Sequence, residues 1–125
     1  MATEKNFENK IKHYLTEIGA WFIKYWAGAE YTKSGIPDIL VCLNGIFLGI
    51  EVKAPKGKPS NLQIINIREI RKSGGVAFVL YPKDYQIFLD LCDKILAADI
   101  NSAKKVQFLF DQNISDEQKE ILYKK

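Results

Sequence analysis

The sequence has a single histidine, His13, and two cysteines, Cys42 and Cys92, in 125 residues. One histidine excludes paired-histidine acid–base schemes and histidine-based metal sites. There is no CxxC and no His/Cys cluster, so nothing argues for a zinc site. Both cysteines sit in apolar segments, and the expectation is buried free thiols in a reducing cytoplasm. No apolar run approaches the ~20 residues of a membrane span. The opening M-A-T-E-K-N-F-E-N-K lacks the apolar stretch of a signal peptide. A cytoplasmic protein with no membrane partner is therefore expected. Internal repeats and low-complexity linkers are also missing.

What is present is ordinary for one globular domain: 47% hydrophobic and 26% charged residues. The net charge is +3, but its distribution is uneven. From Lys53 to Lys72 there are six basic residues (Lys53, Lys56, Lys58, Arg68, Arg71, Lys72) against one acid, Glu69. A basic segment of this kind suits a polyanionic partner, although it also fits a solvated helix face and loop.

Residues 4–18 read as a helix capped by Thr3, with Phe7, Ile11, Tyr14, Leu15 and Ile18 on one arc and Glu8 at its rim. His13 lies on the opposite, solvated face. The aromatic-rich stretch 20–26 predicts a strand, with Trp21, Tyr25 and Trp26 expected mainly in the core. A polar loop at 28–35 contains Tyr31, Lys33 and Ser34. Strands at about 37–43 and 46–53 flank Asn44-Gly45, the strongest short-range hairpin signal. A rigid basic loop, A-P-K-G-K-P, follows. Ser60-x-x-Gln63 has the form of a capping box and opens a helix over 61–72, which Ser73-Gly74-Gly75 stops. The apolar run 76–81 predicts a strand buried on both faces. A helix at 83–97 follows Pro82. V-Q-F-L-F at 106–110 is expected to be a short strand, and Ser115-x-x-Gln118 to cap a last helix. The order α-β-β-β-α-β-α implies an α/β fold, a mixed sheet flanked by helices. Residues 1–96 form the core, and 97–125 a short C-terminal extension packed on or beside it.

A two-residue turn at Asn44-Gly45 places Asp38 opposite Glu51, with Lys53 on the same side of the sheet. Two carboxylates at ~5 Å repel by about 3 kcal/mol at an effective dielectric of about 20. Either one carboxyl holds a proton or a cation sits between them. Mg²⁺ takes one or two carboxylates and keeps waters for phosphate oxygens, and the Val52 carbonyl is a further candidate ligand. Lys53 could then orient water or offset charge on a pentavalent phosphorus. Acid, acid and lysine thus make a coherent phosphodiester-hydrolysis site. An ion pair at the open end of a hairpin is the competing reading.

Pro37-Asp38, a twelve-residue gap and Glu51-Val52-Lys53 match the PD-(D/E)xK nuclease signature. With Lys33-Ser34-Gly35-Ile36-Pro37-Asp38-Ile39-Leu40, Gln63 and Ser73-Gly74-Gly75, the chain resembles the VRR-NUC group over about residues 4–90. That group occurs as small stand-alone proteins, often phage-encoded, and as domains of repair enzymes. Its fold is close to that of archaeal Holliday-junction resolvases. The resemblance implies a restriction-endonuclease-like core and a Mg²⁺- or Mn²⁺-dependent endonuclease acting on DNA, with branched or junction DNA as the preferred substrate. It implies Asp38, Glu51, the Val52 carbonyl and Glu8 around the metal. Lys53 would be the catalytic lysine, and Gln63 would lie at the edge of the site. Phe7-Glu8 resembles the Phe-Glu that opens the resolvase helix, with Glu4 as the other acid on that helix. Lys33, Ser34, Lys56, Lys58, Arg68 and Arg71 would contact DNA. Symmetric junction cutting would need a homodimer. A phage-encoded protein would work in the host cytoplasm. A non-catalytic nucleic-acid-binding or assembly module on the same fold is the alternative.

Overall fold

The fold is given by a computed structural model that describes residues 3–26, 34–100 and 102–123, with side chains for all of these but residues 117 and 121–123. Helix α1 (Glu4–Glu17) is followed by β1 (Trp21–Lys24), β2 (Ile39–Leu43) and β3 (Ile46–Val52). Then come α2 (Asn61–Lys72), β4 (Val76–Leu80), a 3-10 turn (Pro82–Asp84), α3 (Tyr85–Leu96), α4 (Ala103–Asn113) and α5 (Asp116–Tyr123). One four-stranded sheet has the order β1-β2-β3-β4. The first three strands are antiparallel neighbours, and β4 lies parallel to β3. A parallel neighbour needs a crossover, which α2 supplies. The architecture is α/β, a mixed sheet flanked by helices.

Local chemistry sets most of these boundaries. Thr3 Oγ1 accepts the Asn6 N–H at 3.0 Å and starts α1. Asn44 and Gly45 both take positive φ, 48° and 82°, as a two-residue hairpin turn requires. Leu43 therefore faces Ile46, and the register runs unbroken to Ile39 opposite Ile50. Ser60 and Gln63 close a reciprocal capping box at the head of α2.

The core lies between the helices and the even-numbered positions of β3. Ile46, Leu48, Ile50 and Val52 are buried, together with Phe7, Ile11 and Leu15 of α1. Phe7 and Tyr14 meet Tyr85, and Tyr14 also meets Phe88, edge to face, which fastens α1 to α3. All of β4 is buried, as its unbroken apolar run predicts.

Three expectations are corrected. The segment 106–110 is helical, not a strand, because Val106 and Phe110 are buried at a spacing of four, which is helical periodicity. Phe110 stacks on Phe78 of β4, with ring centroids 4.0 Å apart. Trp21 and Trp26 are exposed, at 63% and 69%, rather than in the core. β1 is an edge strand whose odd positions, Trp21 and Ile23, point away from the packed face. Cys42, opposite Trp21, is exposed for the same reason, whereas Cys92 is buried as expected.

The C-terminal extension closes the other edge of the sheet. The Ala77 N–H donates to Gln107 Oε1 at 2.8 Å, and the Ala77 carbonyl accepts from Arg71 Nε at 2.9 Å. The Val79 carbonyl accepts from Gln118 Nε2 at 2.7 Å. Side chains thus satisfy backbone groups that an unpaired edge strand would leave open to another chain. Among the described residues, no helix is long and apolar enough to cross a membrane.

Candidate active site

The hairpin register brings Asp38 and Glu51 to the same end of the sheet. Asp38 immediately precedes β2, and its Oδ2 accepts the Val52 N–H at 2.9 Å. Its backbone carbonyl accepts the Tyr25 N–H at 2.8 Å, so Asp38 is tied to both neighbouring strands. The loop leading to it is pressed onto α2. Gly35 has φ +79°, and a Cβ there would lie 2.7 Å from Leu62 Cγ and 2.8 Å from Asn66 Nδ2. Buried Asn66 donates from Nδ2 to the Ser34 carbonyl at 3.3 Å and to the Leu62 carbonyl at 2.9 Å. Pro37 rests against Gly49, so close that a Cβ on that glycine would meet it at 3.2 Å.

Glu51 is fully buried, and neither carboxylate oxygen receives a directed hydrogen bond. Lys53 Nζ stands 3.0 Å from Oε2. Burial, and then the negative charge of Asp38, push the Glu51 pKa from 4.5 up to about 8, although Lys53 pulls against them. Without a bound divalent ion, Glu51 therefore keeps a proton at neutral pH despite the Lys53 ammonium. A buried carboxylate whose Oε1 has no hydrogen-bond partner among the described residues and whose Oε2 has only the Lys53 ammonium calls for a physical explanation. Two adjacent acidic side chains are hard donors of the kind that hold Mg²⁺ or Mn²⁺ together with bound waters, so the donor set fits such an ion. Among the described residues, no three His, Cys, Asp or Glu side chains close on one point. The centre is a pair.

The third acid, Glu8, is 5% exposed and has a different partner. Lys24 Nζ lies 2.6 Å from Glu8 Oε1 and 3.4 Å from Asp38 Oδ1, and Lys12 Nζ lies 3.5 Å from Glu8 Oε2. Burial works against the charge of Glu8, but the hydrogen bond and charge of Lys24, backed by Lys12, outweigh it and hold the carboxyl below its usual range. Burial likewise opposes the Lys24 ammonium, and Glu8 and Asp38 together raise its pKa. Glu4 is exposed at the start of the helix.

The remaining candidates divide. The Gln63 amide is engaged in the capping box, with Oε1 accepting the Ser60 N–H at 2.8 Å. Val52 contributes its N–H to Asp38. Ser34, Lys56 and Lys58 are exposed, and Arg68 is half-buried. The loop bearing Lys56 and Lys58 is anchored by the Tyr81 hydroxyl, which donates to the Gly57 carbonyl at 2.8 Å. Arg71 makes a bidentate pair with Asp111, at 3.1 and 3.2 Å, so its guanidinium clamps α4 instead of facing a ligand. Lys33 and Tyr31 lie outside the described residues. His13 is solvated and pairs with Glu17 at 3.0 Å.

Two residues at the site escape sequence reasoning. Lys24 sits in an aromatic strand and looks like an ordinary solvated position; a lone lysine amid W-F-I-K-Y-W was the available signal. Asn66 gives no signal, because it looks like any polar helix residue. No protein-family model matches the chain, and a search of curated proteins gives no match.

Proposed function

We propose that the protein is a divalent-metal-dependent endonuclease with a PD-(D/E)xK, VRR-NUC-like core that hydrolyses DNA phosphodiesters. One observation carries this reading: a fully buried carboxylate, Glu51, whose one close cationic partner among the described residues is the Lys53 ammonium just past the end of the same strand, set beside a second carboxylate, Asp38. Stability alone disfavours such an arrangement. A divalent cation removes the conflict and, when bound, would polarise a phosphodiester and acidify a bound water. Asp38 and Glu51 would hold that ion. The Val52 N–H fixes the rotamer of Asp38, so the two carboxylates are presented in a set geometry. Lys53, 3.0 Å from Glu51 Oε2, would turn to the phosphate and offset its developing charge. Exposed Lys56 and Lys58 would neutralise neighbouring phosphates.

Branched or junction DNA is the substrate that the VRR-NUC resemblance implies. Two-strand cutting would need two copies. The test is cleavage of labelled junction, flap, fork and linear DNA, and matched RNA, with Mg²⁺ or Mn²⁺. Wild type should cut. Asp38→Ala and Lys53→Ala should lose on the order of 100-fold or more in rate. If wild type binds these substrates but never cuts them, the protein is a binding module. Cleavage of RNA alone would redirect the substrate class.

A further inference from the structure

Lys24 is the least expected member of the site. Its side chain is only 18% exposed, and its ammonium joins Glu8 to Asp38 and lies 5.7 Å from the centroid of the Trp26 ring. It reaches this place because Lys24 pairs with Ile39 in the sheet, the residue next to Asp38. Both oxygens of Asp38 are consequently engaged. Oδ2 is held by the Val52 N–H, a backbone group that cannot leave without breaking the strand end. Oδ1 is held by Lys24, a flexible side chain that can. Of the two contacts of Lys24, the one to Asp38 is the longer, 3.4 against 2.6 Å. Glu8 is therefore the firmer anchor and can keep the ammonium when Asp38 releases it.

We infer that Lys24 is a built-in cation of the site, which holds Glu8 and Asp38 together and opposes the entry of a divalent ion at Asp38 and Glu51. On ion entry, Lys24 lets go of Asp38 Oδ1 and stays on Glu8. Glu8 then acts by anchoring Lys24 rather than by ligating the ion. The inference rests on the metal reading above.

The test is Mn²⁺ titration by calorimetry on the full chain, with circular dichroism to verify folding. Lys24→Gln keeps a hydrogen-bond donor and removes the charge, so it should bind Mn²⁺ about tenfold more tightly than wild type, the effect expected of one unit charge near a divalent ion. Lys24→Arg keeps the charge and should bind like wild type. A purely structural lysine would give the opposite order, weaker binding in Lys24→Gln. If wild type binds Mn²⁺ and folded Lys24→Gln binds no more tightly, the role of Lys24 is overturned and the metal reading stands. If neither binds, both fall. Should Lys24→Gln not fold, the ¹⁵N signal of the wild-type Lys24 ammonium decides. It should shift as Mg²⁺ saturates the site, and an unmoved signal at saturation overturns the inference.

Discussion

Replacing Glu51 with glutamine should abolish a pH dependence of stability that the wild type carries. The folded protein holds the Glu51 pKa at about 8, against 4.5 for an ordinary glutamate, first through burial and then through the charge of Asp38. Between those two values the native state binds more protons than the unfolded chain. Stability therefore falls as pH rises through this window, and the contribution present below pH 4.5 is gone above about 8. At about 1.4 kcal/mol per pH unit, the loss is at most about 5 kcal/mol. Water drawn in by the ionised carboxylate reduces it to about 2–5 kcal/mol. For a chain of this size that is a fall of roughly 10–20 °C in Tm. Glu8 has its pKa lowered, so its contribution is lost only as pH falls below the usual carboxylate range, outside this window. The assay is urea or thermal denaturation from pH 5 to 9 in EDTA. Wild type should lose stability steadily from pH 5 to about 8 and then level off, and Glu51→Gln should stay nearly flat and be the more stable protein at pH 9. Adding Mg²⁺ at about 100 times its Kd should return roughly 2.7 kcal/mol to wild type at high pH and little to Glu51→Gln. Parallel pH curves for the two proteins would refute the reasoning, because they would mean that Glu51 is solvated or satisfied.

The capping box makes Gln63 separable from catalysis. Gln63→Glu should keep both stability and cleavage rate, whereas Gln63→Ala should lose about 1 kcal/mol of stability in urea melts; a stable Gln63→Glu that no longer cuts would instead place the amide in the reaction. Arg71→Ala should cost about 3 kcal/mol by denaturation, since it leaves the part-buried Asp111 with no bidentate guanidinium and uncaps the Ala77 carbonyl. The same variant should leave DNA affinity per folded molecule unchanged in a binding titration, and a selective loss of affinity would restore Arg71 to the DNA contacts.

Local chemistry made much of the molecule legible before any coordinates. Asn44-Gly45 admits a two-residue turn, and that turn fixes the register of the hairpin to Ile39 opposite Ile50. Ser60 and Gln63 specify their cap over four residues. The apolar run 76–81 pointed to a strand buried on both faces, and Val76–Leu80 is such a strand. These features depend on neighbours in the chain, where propensity and periodicity act directly. From the register alone it followed that Asp38 and Glu51 share one end of the sheet and that a cation or a proton must reconcile them.

Tertiary structure decided what depends on distant partners. The segment 106–110 has strand-like composition, yet burial of Val106 and Phe110 against β4 makes it a helix. Trp21, Trp26 and Cys42 read as core, but β1 is an edge, and burial depends on which face an element presents rather than on residue type. Arg71 carries the same charge whether it meets a phosphate or Asp111, and only packing of α4 chooses Asp111. Lys24 is the sharpest case. Its charge is visible in the sequence, but Glu8, 16 positions before it, and Asp38, 14 positions after it, are brought to it only by the folded sheet and α1. A sequence specifies its turns and caps from within; which charges meet across the fold is set by the packing of whole elements.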